Sequence, residues 1–203
     1  NMEPNEKKYM YAKKENQLRY ANAFAQISYA VFYLIAVVTQ WIAFFMKKQS
    51  LQMSLLVTAV VVISCVLTVA TFIKNKSGML TRYTAFLGLL IVAFVTGVEF
   101  DNYYIRFMAC IPLVACILFF DVKFIAAAGS AMVIVNFAIN FININIQHMY
   151  TRDEVRDQIC ASLAVAFLML ITSLATSVAR LFNYQSMQSL MYEQEKQKEM
   201  MNH

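Results

Sequence analysis

Hydrophobic residues fall into six long runs separated by short polar segments. The runs cover residues 21–46, 51–73, 83–98, 103–120, 124–146 and 159–182. A helix needs about 20 apolar residues to cross a bilayer, and the runs 83–98 and 103–120 are shorter because Glu99 and Arg106 interrupt them. These two either span with little tilt, thin the bilayer or form a re-entrant pair. The pattern predicts an all-α polytopic membrane protein with a six-helix transmembrane bundle.

The composition supports helices in lipid. Hydrophobic residues make up 60% of the chain and charged residues 14%, whereas about a quarter of the residues in a soluble domain are charged. Four glycines and two prolines leave few helix breakers, and a β-barrel would need a polar residue at every second position. The four cysteines lie inside apolar runs without a CxxC pair, so we predict packing roles and neither a metal site nor a cofactor.

The distribution of basic residues predicts that both termini are cytoplasmic. Residues 1–20 are basic and lack a cleavage-site pattern, which is typical of a cytoplasmic flank. With this flank inside, twelve of the 17 lysine and arginine residues lie on the inner side. These are Lys7, Lys8, Lys13, Lys14, Arg19, Lys74, Lys76, Arg82, Lys123, Arg180, Lys196 and Lys198. Topology and lipid headgroups account for the net charge of +5, so no nucleic-acid partner is predicted.

Beyond the sixth run the sequence is polar but still rich in helix formers. Residues 183–203 carry alternating charges, which predicts that the sixth helix of the domain, residues 21–182, continues into the cytoplasm. Leu181, Tyr184, Gln188 and Met191 fall at heptad spacing and predict a seam that contacts a second chain in a homodimer. The last residues contain no capping glycine, as expected if the helix led to a further module.

The fifth run contains the segment VNFAINFININ. On a helix, Asn136, Asn140 and Asn143 share one face with Gln147, whereas Asn145 lies opposite. One interpretation is that these amides hydrogen-bond neighbouring helices and hold the helices together. The other is that they form a polar wall of a ligand pocket or an ion path.

A second polar group lies at the predicted outer surface in EFDNYYIRF. Glu99, Asp101 and Arg106 could belong to an ordinary solvated loop flanked by an aromatic belt. Alternatively, Arg106 faces inward, pairs with Glu99 or Asp101 beside the asparagines, and recognises a small zwitterionic or anionic ligand. The predicted ligand-binding residues are therefore these three together with Asn136, Asn140 and Asn143.

Two residues are predicted to shape the helices. Pro112 removes a backbone hydrogen bond and should kink the fourth helix, which would help to transmit a signal. Asp121, in the inner turn FFDVK, can cap the fifth helix.

The sequence lacks the usual enzyme signatures. It has no GxSxG, no HExxH and no P-loop, and its two histidines are His148 and His203. We predict a protein that is not itself an enzyme, although an enzymatic output module could follow it.

The order of parts resembles a known group. A basic flank, six helices with short loops, the aromatic-rich IPLVACILFFDVKFI and a sixth helix that continues as EQEKQKEMM are similar to the membrane sensor regions of Gram-positive signalling receptors. In that group such a region precedes a methyl-accepting chemotaxis module, a diguanylate cyclase or a histidine kinase. The resemblance implies a dimeric receptor in the cytoplasmic membrane of a bacterium, and the tail favours the chemotaxis type.

These observations predict a transmembrane sensory domain. A small ligand or membrane cue would bind the outer half of the bundle, and the sixth helix would transmit the change to cytoplasmic signalling proteins. Two other functions stay open. The chain could be a small-solute transporter or channel that uses the asparagines as its path, or a scaffold whose asparagines only hold helices together.

Overall fold

The computed structural model describes residues 14–99, 103–148 and 150–201, and these residues form six helices without a β-strand. The helices are α1 (Lys14–Phe45), α2 (Leu51–Lys74), α3 (Leu80–Glu99), α4 (Tyr103–Ala115), α5 (Val122–Phe141) and α6 (Arg152–Met201). A 3₁₀ turn, Cys116–Phe119, extends α4, and a π-helical turn, Ile142–Ile146, extends α5. Each apolar run corresponds to one helix, so the predicted all-α class is confirmed.

The lengths and surfaces of the helices suit a lipid environment. Within the described residues, five helices are long and apolar enough to cross a membrane, and the fourth contributes a shorter apolar helix over Arg106–Phe119. Large apolar side chains cover the outside; Ile27, Leu34, Ile134 and Phe167 are each more than 60% exposed. In water such a surface would be strongly unfavourable, whereas lipid tails would solvate it.

The helices share two ends, which we name after the residues found there. At the Asn140 end, Gly97 of α3 and Arg106 of α4 hydrogen-bond asparagines of α5. At the Arg82 end, Arg82 of α3 contacts Phe119 and Asp121, which lie between α4 and α5. Both helices that looked short in the sequence therefore extend between the same two ends as α5.

A hydrophobic core fills the space between the two ends. Tyr29 of α1, Leu89 of α3, Leu113 of α4, Met132 of α5 and Val165 of α6 belong to one cluster and are at most 2% exposed. Helix α2 packs against α1 and α3. The large side chains of the cluster separate the polar groups at one end from those at the other.

Close packing of the first three helices depends on Gly88 in α3. A Cβ atom at this position would lie 2.6 Å from Tyr33 Oη of α1 and 2.7 Å from Ser64 Oγ of α2. Gly88→Ala is therefore expected to lower the free energy of unfolding by about 1–2 kcal/mol, because α1 and α2 must move apart. Chemical denaturation of the purified protein in mixed micelles measures this change.

Gly129→Ala in α5 provides the matched control. Its Cβ would lie 3.2 Å from Met169 Cβ of α6, so a small adjustment accommodates the methyl group. A larger loss of stability in Gly129→Ala than in Gly88→Ala would contradict this account of the packing.

Helix α6 is much longer than a bilayer is thick. Its 50 residues extend about 75 Å, against about 30 Å for the hydrocarbon core. The prediction that the sixth helix continues beyond its apolar part is confirmed, since it is helical through Met201. A large part of α6 must therefore lie outside the hydrocarbon layer.

The two residues predicted to shape the helices lie on either side of the 3₁₀ turn that joins α4 to α5. Buried Pro112 lies near the point where the α-helix gives way to the 3₁₀ turn, which ends at Phe120 with a left-handed φ of 54°. The prediction for Asp121 is confirmed, because its carboxylate accepts a hydrogen bond of 3.1 Å from the backbone N–H of Phe124.

Candidate functional site

Asn140 joins three helices at the Asn140 end. Arg106 of α4 donates a hydrogen bond from Nη1 to Asn140 Oδ1. Asn140 Nδ2 in turn donates to the backbone carbonyl of Gln158 at 3.0 Å and to Ser162 Oγ at 2.8 Å, both in α6. Asn140 is only 4% exposed. Its carboxamide therefore ties α4, α5 and α6 together away from solvent.

Asn143 adds α3, a fourth helix, to this connection. Its Nδ2 donates to the backbone carbonyl of Gly97 in α3 at 3.0 Å and to Tyr150 Oη at 3.3 Å. Asn136, by contrast, donates to Met132 of its own helix. The stripe thus makes the interhelical hydrogen bonds that the first interpretation predicts, through two of its three members.

The predicted face is correct for the three asparagines and wrong for Gln147. Asn136, Asn140 and Asn143 are buried and Asn145 is exposed, as their helical spacing predicts. Gln147 is exposed, because the backbone widens into a π-helical turn in which the Gln147 N–H donates to the carbonyl of Ile142. Gln147, at the end of this turn, therefore no longer follows the α-helical spacing that holds for the three asparagines and Asn145.

Arg106 faces inward. It is 2% exposed, in agreement with the second interpretation of this segment rather than with a solvated loop. The predicted partners cannot be placed, because Asp101 and the side chain of Glu99 lie outside the described residues. Asn140 accepts a hydrogen bond from the Arg106 guanidinium, and this pairing was not predicted from the sequence.

Buried polar side chains from all six helices occur at the Asn140 end, and we call them the polar layer. They are Gln40 of α1, Ser54 of α2, Thr96 of α3, Arg106 of α4, Asn140 and Asn143 of α5, and Gln158 and Ser162 of α6. Each is at most 4% exposed. Sequence reasoning did not single out Thr96, Gln158 or Ser162. The sequence feature that could have identified these residues is that they lie near the same end of successive helices.

Several carboxamide atoms at this end have unused hydrogen-bonding capacity. Both polar atoms of the Gln40 side chain, Asn136 Oδ1, Asn143 Oδ1 and Gln158 Oε1 are buried without a hydrogen-bond partner among the residues described. Leaving such an atom unsatisfied costs about 1–3 kcal/mol. A polar ligand or ordered water that bonded these atoms would therefore be bound favourably.

A buried ion pair lies at the Arg82 end. Arg82 Nη1 is 3.1 Å from Asp121 Oδ2, and the Arg82 side chain is 1% exposed against 29% for Asp121. The guanidinium carbon also lies 4.3 Å from the centre of the Phe119 ring, within cation–π range. The sequence suggested only that Arg82 contributes to topology, so this contact was missed.

Four of the five predicted signal-transmission residues lie on the part of α6 that extends past its apolar segment, and the fifth, Pro112, lies in α4. Leu181, Tyr184 and Met191 are each more than half exposed, and Gln188 donates a hydrogen bond of 2.8 Å to Tyr184 Oη. The face is thus open, as a contact with a second chain would require, and the dimer itself stays a prediction.

The start of α1 holds the same part of α6. Gln17 Nε2 donates to Asn183 Oδ1 at 3.2 Å, and Asn183 Nδ2 donates back to Gln17 Oε1 at 3.3 Å. Movement of this part of α6 relative to α1 would break both hydrogen bonds.

No family model, curated protein or solved structure matches the chain. The function must therefore be inferred from the geometry of the polar layer and its connection to α6.

Proposed function

We propose that this chain is the transmembrane sensory domain of a bacterial receptor of the cytoplasmic membrane, with both termini inside. A small polar ligand, zwitterionic or anionic, binds at the polar layer, and α6 carries the change to a cytoplasmic signalling module of the chemotaxis type. The unused hydrogen-bonding capacity of the polar layer is the observation that carries the proposal. The arginine and the carboxamides together suit a carboxylate or phosphate group flanked by further polar groups.

The hydrogen bonds of Asn140 support transmission through α6. A ligand that competes for the carboxamide of Asn140, or for the guanidinium of Arg106, changes the forces on Gln158 and Ser162 at the start of α6. Binding shifts the helix only if the ligand has different affinities for two helix arrangements. In this proposal the two arrangements differ in whether these side chains are hydrogen-bonded.

The hydrophobic core favours a sensor over a channel. The large apolar side chains of Leu89, Leu113, Met132 and Val165 lie between the polar layer and the Arg82 end, where an ion path would require an open, polar lining. Flux into proteoliposomes that disappears in Asn140→Leu would nevertheless favour the transporter. The scaffold function predicts the same hydrogen bonds but no response to a ligand.

Gln40→Leu separates a binding role from a structural one. Because its amide bonds no described residue, the substitution should leave the free energy of unfolding unchanged or raise it. It should nevertheless weaken ligand binding at least about tenfold, since one lost hydrogen bond to a polar ligand costs about 1.4 kcal/mol. Thermal-shift screening of amino acids, organic acids and phosphorylated metabolites identifies the ligand, and titration of each variant measures its affinity.

Gln26→Leu is the matched control for this experiment. Gln26 lies in the same helix, 14 residues or about 21 Å before Gln40 along the axis, and its Nε2 is also buried without a partner in the described part of the chain. The Gln26→Leu variant should bind the ligand as tightly as the unchanged chain does. If Gln40→Leu bound every ligand as tightly as Gln26→Leu does, the polar layer would not be the binding site.

A further inference from the structure

A cavity opens at the Arg82 end, away from the polar layer. Its volume is about 550 Å³, and it lies between the first turns of α1, the start of α3, the turn between α4 and α5, and the part of α6 beyond its apolar segment. This volume is within the range of small-molecule sites. Neither the proposed sensory ligand nor its contacts use this cavity.

The lining of this cavity is strongly basic. Among the described residues it has four cations, Lys14, Arg82, Lys123 and Arg180, and one carboxylate, Asp121, which leaves a net charge of +3. Such an excess of one sign in a partly enclosed site attracts a ligand of the opposite sign. The charge selects anions over cations and neutral solutes.

Arg82 shows that this charge is not fully compensated. Its guanidinium has five N–H donors; Nη1 bonds Asp121, whereas Nε is buried without an acceptor in the described part of the structure. The flat guanidinium is held in place by Phe119, over whose ring it lies. A fixed arginine with unused donors is the usual partner of a phosphate group.

The remaining wall of the cavity is apolar. Met79, Leu118, Phe119, Met187 and Met191 contribute carbon and sulfur surface beside the charges. A ligand that combines a phosphate with an apolar portion, such as an acyl chain or a nucleobase, matches both surfaces. The basic residues lie where the apolar segments end, at the level of lipid headgroups in the proposed topology.

We infer that this cavity is a binding site for a phosphate-bearing anion. Occupation would join the start of α1 to α6, because Tyr184, Gln188 and Met191 of α6 line the same cavity. These are three of the four α6 residues predicted to transmit the signal, so the bound anion would set the position of that part of α6. The inference stands on the cavity alone and does not depend on the proposed sensory function.

Binding by the purified full chain tests the inference. One arm adds phosphatidylglycerol to the protein in neutral detergent and measures retained lipid by native mass spectrometry. The other arm titrates inorganic phosphate and ATP by calorimetry. Binding in the first arm alone identifies a lipid headgroup as the source of the phosphate, and binding in the second identifies a soluble ligand.

Two double substitutions, each of which removes two positive charges, test whether the anion binds in the cavity. Lys123 and Arg180 are exposed, so Lys123→Gln with Arg180→Gln should leave the fold intact and weaken binding about fivefold for each cation removed. The control is Lys74→Gln with Lys76→Gln, which removes the same charge near the same end from residues that do not line the cavity. Equal weakening in both pairs, or no binding of any of the three probes to the unchanged protein, would overturn the inference.

Discussion

Asp121→Ala is expected to lower the free energy of unfolding by about 4 kcal/mol, of which about 3 kcal/mol comes from the ion pair, at the low end of the range for a buried pair because Asp121 is partly exposed. The substitution removes the carboxylate that faces the buried Arg82 guanidinium. It also removes the hydrogen bond that caps α5, which contributes about 1 kcal/mol. Denaturation in mixed micelles gives the difference from the unchanged chain.

Asp121→Asn separates these two contributions. Asparagine caps a helix about as well as aspartate, so it keeps the bond to the Phe124 N–H while the charge opposite Arg82 is lost. Asp121→Asn should therefore lower the free energy of unfolding, but by less than Asp121→Ala does. Asp157→Ala is the surface control, because Asp157 pairs with Arg156 at 60% exposure and such pairs contribute about 0–1 kcal/mol. Equal effects of Asp121→Ala and Asp157→Ala would refute the buried pair.

Asn140→Leu is expected to cost about 2 kcal/mol, because it removes three interhelical hydrogen bonds that average about 0.6 kcal/mol each inside membranes. The bond from charged Arg106 should contribute more than the average. Leucine has a similar volume, so the change reports the polar contacts rather than a cavity. The same denaturation experiment measures it.

Two other asparagines of the same segment provide a graded series. Asn136 bonds its own helix, so Asn136→Leu should have a small effect or raise stability by removing the unsatisfied Asn136 Oδ1. Asn145 is exposed and bonds Phe141 of its own segment, and Asn145→Leu should lie within about 0.5 kcal/mol of the unchanged chain. A loss in Asn145→Leu as large as in Asn140→Leu would mean that the interhelical bonds do not stabilise the fold.

Much of the fold could be predicted because hydrophobic segments in lipid must satisfy their own backbone hydrogen bonds. The six apolar runs therefore became six helices, and the end of α5 was the place where the pattern failed. Helical spacing placed Asn145 on the outside correctly but placed Gln147 wrongly. A π-helical turn inserts extra backbone into the helix, and nothing in ININI distinguishes it from ordinary α-helix.

The candidate site was harder to predict because it is formed by contacts between segments distant in sequence. Asn140 was identified from its own helix, whereas Gln40 appeared to be an isolated amide in α1. Arg82 resembled the other basic residues that flank apolar runs, and Asp121 appeared to be only a cap. Arg82 and Asp121 pair because α3 approaches the turn before α5. The hydrophobic periodicity of a single segment carries no information about such a contact.

Because α6 is long, a small tilt at its start, where Gln158 and Ser162 bond Asn140, produces a large displacement at its far end. Met201 lies about 58 Å along the helix from Ser162, at about 1.5 Å per residue. A rigid tilt of about 5° with its pivot at Ser162 would displace Met201 sideways by about 5 Å, close to one helical turn. A change of a single hydrogen bond beside Asn140 could thus become a displacement large enough to alter how two such helices pack against each other.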